Sequence, residues 1–245
     1  MELTRRNALG LLMSGGAAIA ATTLMGRDLT LLEEQAMPQT ATPPVLAPKP
    51  LSFDPTKLKG ISEKLIVSHH NNNYVGAVKN LNAVRAELAK ATKDTPAFLV
   101  GGLRAKELVF ANSMTLHEVY FGNLGGNGKA DGSIAKAIAS TWGSLGAWEQ
   151  GLKALGTSLA GGSGWAILDL HLPSGELRLS WAGDHSQTLA ASLPLLVMDM
   201  YEHAYQMDYG AAAAKYIEAF FQNVNWDEVN HRYERAQKAL LVLKA

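Results

Sequence analysis

Apolar residues recur at helical spacing through most of the first half of the chain. Over residues 60–91 they fall three or four positions apart, and the polar run 68–73 interrupts them. This pattern predicts either a helical hairpin or one long helix with a polar face. A second helical pattern covers roughly residues 103–121, after a break at Pro96. The first half is therefore predicted to be helical.

The pattern changes from helical spacing to alternation in the second half. The stretch 164–172 ends in alternating apolar and polar residues, and 176–181 alternates in the same way. The residues between them, 173–175, form a turn, so the pattern predicts a β-hairpin. Residues 194–198 form a continuous apolar run, typical of a strand buried on both faces, and Asp199 follows it. Further helices are predicted over residues 133–159, 209–221 and 226–243.

These elements predict an α+β fold. An N-terminal helical hairpin domain would precede a C-terminal domain of helices around a three-stranded antiparallel sheet. The glycine-rich run 122–132 is too irregular for a helix or strand and marks the boundary, and the proline-rich stretch 36–50 is predicted to be a tether. The predicted divisions are an export signal at 1–35, a linker at 36–52, and domains at 53–124 and 125–245.

The N-terminus has the features of a targeting signal. Arg5 and Arg6 precede a weakly apolar stretch that is rich in alanine and glycine and too short and soft for a membrane span. The segment resembles a twin-arginine export signal; the alternative is a basic N-terminus with a general secretory signal. We expect a bacterial protein that is exported to the periplasm or beyond, with no stable membrane partner once the signal is cleaved.

Composition narrows the chemistry. Twenty-two basic and 22 acidic residues give a formal net charge of +0, so no overall field favours nucleic acid as a partner. The chain has no cysteine, which excludes disulfides, thiolate catalysis and thiolate metal sites. Histidine, aspartate and glutamate remain as possible ligands, and they suit hard or borderline metals.

The densest group of such residues is the D-x-x-x-H pattern of Asp199 and His203, at the end of the apolar run. Ionisable groups at a buried strand end cost free energy unless they are paired or bind a metal. The spacing alone leaves two interpretations open. One is a metal site, and the other is a surface aspartate beside a Glu/His pair at a helix start.

The residues around this pattern resemble a known family. Residues 194–205, PLLVMDMYEHAY, followed by Asn225 and Trp226, are similar to the signature of iron/manganese superoxide dismutases, in which a D-x-W-E-H-A-Y core supplies two metal ligands. Gly162-Ser163-Gly164-Trp165 matches a second fingerprint. The resemblance covers roughly residues 53–233. It implies the fold predicted above and the conversion of superoxide to dioxygen and hydrogen peroxide.

The resemblance also implies a set of ligands. His117 falls at the third ligand position, although Leu116 and Phe121 depart from the usual family residues. The fourth ligand is His69 or its neighbour His70, and an alignment without gaps gives His69. The implied cofactor is one Fe or Mn ion per chain, held by His69, His117, Asp199 and His203. Zinc would suit the same donors, but it cannot change oxidation state.

A further family position tunes the metal through its bound solvent. Most members use a glutamine there and some use a histidine in a D-H pair, which implies His185, with Gln187 as the alternative. Without the resemblance, His185 reads as a polar loop residue. The family also forms homodimers in which Glu202 of one subunit pairs with His203 of the other.

Several positions depart from the family. Ala77 stands where the family has a gateway tyrosine that passes protons, and Tyr74, one helical turn away, could replace it. Asn73 and Gln206 replace a His/Tyr pair that meets across the subunit interface. The ligands are unchanged, so the alternative function is a metal-binding protein with little or no dismutase activity. A zinc hydrolase lacks a general base placed by any motif.

Overall fold

The computed structural model describes residues 44–244. The predicted export signal lies outside these residues. The first helical region is one long helix in three parts: α1 (Glu63–Ser68), a π-helical segment (His69–Tyr74) and α2 (Val75–Leu88). The Ser62 hydroxyl accepts a hydrogen bond from the Leu65 N–H and caps α1. Of the two alternatives for this region, the long helix is therefore the one that forms.

The π-helical segment coincides with the polar run of the sequence. It contains three consecutive asparagines, whose side chains compete with the backbone for hydrogen bonds and so disfavour a regular α-helix. Its i→i+5 bonding shifts the register of the residues that follow by about one position. The segment places one of its two histidines, His69, in the interior, where it is 1% exposed.

The hairpin partner of the first helix is α3 (Ala97–Gly122), which packs along α2. It begins six residues earlier than predicted, directly after Pro96. Phe98 and Leu99 in this first turn are exposed, so no amphipathic pattern announces it. The predicted helix at 133–159 is two helices, α4 (Gly132–Trp142) and α5 (Leu145–Ser158), because Gly143 takes a φ of 81° and ends the first of them.

The predicted three-stranded antiparallel sheet is confirmed. Its strands are β1 (Trp165–His171), β2 (Glu176–Ala182) and β3 (Ser192–Asp199), in the order β2-β1-β3. In the register of β1 and β3, Trp165 lies opposite Asp199. The sheet therefore brings the GSGW fingerprint beside the D-x-x-x-H pattern, although 33 residues of chain separate Trp165 from Asp199.

The chain after β3 is helical. A 3₁₀ turn (Glu202–Ala204) and the short α6 (Gln206–Tyr209) precede α7 (Ala213–Gln222) and α8 (Trp226–Lys244). The two predicted halves contribute to one hydrophobic core, which joins Leu65 and Leu116 to Trp165 and Phe220. Within residues 44–244, no helix is both long and apolar enough to cross a membrane.

The described part of the predicted tether is bound to the helices. The Leu46 N–H donates to Asn82 Oδ1 (2.9 Å), and Asn82 Nδ2 donates back to the Leu46 carbonyl (2.8 Å). Leu46 and Leu51 pack against the core, which their position among prolines did not suggest. We call residues 44–52 the strap, because they lie across the first helix instead of hanging free from it.

Candidate metal centre

Four separate elements converge on one point. His69 comes from the π-helical segment, His117 from α3, Asp199 from the end of β3 and His203 from the 3₁₀ turn. One ligand atom from each of the four lies within 4.8 Å of all the others. The Nε2 atoms of His69, His117 and His203 lie 3.1, 3.7 and 3.3 Å from Asp199 Oδ2. The four predicted metal-binding residues therefore lie together as one cluster.

The donors of this cluster fit a bound cation. Asp199 is fully buried, and His69 and His117 are each 1% exposed. The Nε2 atoms of these two histidines have no hydrogen-bond partner among the described residues. Buried polar atoms without partners are rare because their desolvation is not repaid, and a metal ion at the convergence point would satisfy them.

Hydrogen bonds behind the cluster orient the ligands. His117 Nδ1–H donates to the Ser113 carbonyl one turn earlier in α3 (2.7 Å), which leaves Nε2 as the free lone pair. Asp199 Oδ1 accepts from the Tyr201 N–H (2.8 Å), which leaves Oδ2 for the histidines. Such outer partners fix ring orientation and tautomer. The i−4 spacing of Ser113 was the only sequence signal for its role.

The protonation states also suit metal binding. Burial lowers the pKa of His69, and it lowers the pKa of His117 to about 3, so both rings are neutral. Burial alone would raise the pKa of Asp199, but His203 and His69 hold it well below its usual range. Burial opposes the charge on His203, but the Asp199 carboxylate outweighs it and raises that pKa. The neutral His69 and His117 rings and the Asp199 carboxylate are ready donors for Fe, Mn or Zn, and His203 joins them by releasing its proton when the metal binds.

A small opening of about 230 Å³ leads to the cluster. Ala77, at the position where the resemblance implies a gateway tyrosine, lines this opening, and so does Asn73. No tyrosine is among its lining residues in the described chain, which are Asn72, Asn73, Gly76, Ala77, Asn80, Phe110, Ser113, His117, His185 and His203. The opening is therefore polar and lacks a phenol.

His185 lies at this opening, in the loop after β2. Trp165 Nε1–H donates to His185 Nδ1 (3.0 Å), so the proton of the neutral ring is on Nε2. Its ring stacks on Tyr201 with centroids 4.8 Å apart, and it lies 6.2 Å from the His117 ring. Burial lowers the pKa of His185, which favours this neutral ring. Trp165 as its hydrogen-bond donor was not predicted from the sequence.

Gln187, the alternative to His185, turns back on its own loop. Its Oε1 accepts from the Gly183 N–H (3.1 Å) and its Nε2 donates to Asp184 Oδ2 (3.3 Å). The side chain is exposed and does not line the opening. Between the two candidates, geometry favours His185.

Tyr74 is not among the residues that line the opening. It borders a separate cavity of about 490 Å³, where its hydroxyl accepts from the Lys49 N–H (2.8 Å) and donates to Glu118 Oε1 (3.0 Å). Burial raises its pKa to about 12. Its role as a replacement proton donor remains a prediction, and this placement weighs against it.

The predicted dimer contacts are accessible. Glu202 and Gln206 are exposed, and Asn73 is half-buried at the opening. The contacts of Glu202 and Gln206 with a second subunit remain predictions.

His70, the alternative to His69 as a ligand, does not join the cluster. Its Nε2 instead donates to the Lys49 carbonyl (2.9 Å).

Comparison with known proteins identifies the family. Residues 130–232 match the model of iron/manganese superoxide dismutases, C-terminal domain. A superoxide dismutase (Fe) from Cupriavidus metallidurans is 50% identical over 189 residues, which span 77% of this chain and 96% of that protein. One from Aquifex aeolicus, also an Fe enzyme by name, is 37% identical over 201 residues (78% and 92%). Superoxide dismutase (Mn) 2 of Haloferax volcanii is 31% identical over 194 residues (78% and 96%). The chain belongs to the iron/manganese superoxide dismutase family.

Proposed function

We propose that this chain is a superoxide dismutase with one Fe or Mn ion held by His69, His117, Asp199 and His203. The observation that carries this function is the convergence of three Nε2 atoms on Asp199 Oδ2 in a buried site. When bound, Fe or Mn supplies reversible one-electron chemistry, which zinc lacks. Overall, two superoxide anions and two protons give one dioxygen and one hydrogen peroxide.

The residues of the chain have separate tasks in this reaction. Asp199 and the three histidines hold the ion, and the Asp199 carboxylate balances part of its charge. His185 lines the opening with its protonated Nε2 as a hydrogen-bond donor for solvent or substrate, and Trp165 keeps the ring in that tautomer. The opening is small and polar, so it suits a small anion and ordered water. Because no phenol lines the described opening, water is the proposed carrier of protons past Ala77.

The function is tested by reconstitution. Samples of the metal-free protein are loaded with Fe, Mn or Zn, and the rate of superoxide loss is measured per bound ion. We expect at least one of Fe and Mn to give a rate well above the same concentration of free ion, and Zn to give none. Full loading with both redox metals and no rate above the free ions would contradict the enzyme function. It would favour the alternative function, a metal-binding protein with little or no dismutase activity. This alternative is tested because position 77 carries an alanine in place of a tyrosine.

The role of His185 leads to a prediction about redox tuning. His185→Ala is expected to retain the metal and to shift its reduction potential, because the ring is near the cluster but is not a ligand. Gln187→Ala is the control, since its side chain bonds only within its own loop. Metal content and potentiometric titration of both variants make the comparison. An unchanged potential in His185→Ala would remove this residue from the tuning role.

We also propose export and dimerisation. Arg5 and Arg6 precede the weakly apolar stretch typical of twin-arginine signals, so replacing both by lysine should retain the protein in the cytoplasm on cell fractionation.

Glu202 is exposed beside the ligand His203, which suits a carboxylate that pairs with the second subunit. Glu202→Ala should shift sedimentation toward the monomer. Normal export or an unchanged dimer, respectively, would contradict these proposals.

A further inference from the structure

The strap is fastened to the π-helical segment through one peptide unit. His70 Nε2–H donates to the Lys49 carbonyl (2.9 Å), and the Lys49 N–H donates to the Tyr74 hydroxyl (2.8 Å). Lys49 stands between Pro48 and Pro50, which have no backbone N–H. Its N–H is thus the only backbone donor among these three residues.

The same group of bonds reaches the second ligand helix. Tyr74 donates its hydroxyl proton to Glu118 Oε1 (3.0 Å), and Lys49 Nζ forms an ion pair with the other oxygen of Glu118. Glu118 directly follows the ligand His117, and His70 directly follows the ligand His69. The strap therefore connects the π-helical segment and α3 next to the two ligands that these elements carry.

Tyr74 is the buried centre of this connection. The residue is 1% exposed. Its hydroxyl accepts one hydrogen bond, from the Lys49 N–H, and donates one, to Glu118. π-helical segments are rare and occur mostly as single turns within α-helices, frequently at functional sites. The Tyr74 hydroxyl ties the end of this segment to the strap and to α3, at a cavity that shares no lining residue with the opening.

We propose that the Lys49 backbone, the Tyr74 hydroxyl and the Glu118 carboxylate are positioning groups for the metal centre, and that the strap thereby holds His69 and His117 at the spacing the metal needs. This inference rests on the proposed metal-binding function. It gives Tyr74 a role other than proton transfer, and it gives the proline-rich segment a task in the folded enzyme.

The test compares full-chain variants by their metal affinity. Tyr74→Phe removes the hydroxyl, and Lys49→Pro removes the N–H that it accepts. Lys49→Ala is the matched control, because it keeps the N–H and loses only the side-chain ion pair, whose lysine is 72% exposed. Tyr233→Phe is a second control, since the Tyr233 phenol makes no hydrogen bond within residues 44–243. Dissociation constants for Mn²⁺ are measured by competition with a chelator, and melting temperatures are measured with and without metal.

We expect Tyr74→Phe and Lys49→Pro to weaken Mn²⁺ binding by roughly 10–100-fold, the effect typical of outer partners of metal ligands, and both controls to stay near the wild type. The gain in melting temperature on metal binding should shrink in the same two variants. If Lys49→Pro does not fold, Tyr74→Phe alone decides.

Two results would overturn the proposal. An unchanged dissociation constant, with equal losses of melting temperature in metal-free and loaded protein, would make Tyr74 a purely structural residue. An unchanged dissociation constant with lower turnover per bound ion would make it a proton donor. The dissociation constant and the melting temperature do not depend on dismutation. If the wild type binds Mn²⁺ but does not remove superoxide, that result would contradict the proposed function, and the comparison of metal affinities would still be valid.

Discussion

Replacing His69 by alanine is expected to abolish stoichiometric binding of Fe or Mn, whereas replacing the adjacent His70 leaves it intact at saturating metal. His69 Nε2 lies 3.1 Å from Asp199 Oδ2, while the His70 ring bonds to the strap. Loss of one of four ligands opens the site and leaves the Asp199 carboxylate without a full set of partners in a buried position. The measurement is elemental analysis of both variants after loading and removal of excess metal.

The other three ligands should behave like His69. Alanine variants of His117, Asp199 and His203 are expected to lose the ion, and dismutation should fall to the background of free metal. His231→Ala is a suitable control, because its ring is on the exposed face of α8. A result in which His70→Ala loses the ion and His69→Ala keeps it would mean that the ligand is assigned one residue too early.

Ala77→Tyr is expected to raise the turnover per bound ion. Ala77 lines the opening to the cluster, and no tyrosine is among the described residues around that opening. A phenol there can both donate and accept a hydrogen bond and so pass protons. A positioned acid–base group typically contributes about 10²–10⁴-fold, and we expect a smaller gain of about 10-fold because water is the proposed proton carrier in the wild type.

The measurement is the dismutation rate at equal metal content, over a range of pH. Ala77→Phe is the matched control, because it fills the same space with a ring but has no hydroxyl. Its dismutation rate should be equal to or lower than that of the wild type. If Ala77→Tyr and Ala77→Phe change the rate alike, the effect is one of access, and proton transfer past Ala77 does not limit this enzyme.

The sequence carried enough information to predict the elements that bear the ligands. The apolar run before Asp199 predicted a buried strand, and the D-x-x-x-H spacing placed His203 just after it. The family resemblance then separated His69 from His70, which periodicity alone could not do. Local patterns work for Asp199 and His203 because both sit at a regular position relative to an apolar run, whereas His69 and His117 were assigned from the resemblance.

The sequence did not reveal features that depend on distant contacts. Leu46 and Leu51 lie in a proline-rich stretch that predicts a free segment. In the structure both pack against the core, and the Asn82 side chain bonds to the Leu46 backbone. Tyr74 has a helical spacing that fits a gateway residue, but the π-helical register turns its hydroxyl toward Glu118. Trp165 supports His185 only because antiparallel pairing brings the strand ends together.

The most direct test is to purify the protein from its own host and to measure metal content and dismutation on the same sample. We predict Fe or Mn near one ion per chain, and superoxide removal that rises in proportion to that metal and disappears when it is withdrawn. Purified protein that carries zinc instead, or that is full of Fe or Mn and removes superoxide no faster than the free ion, would contradict a dismutase centred on Asp199 and its three histidines.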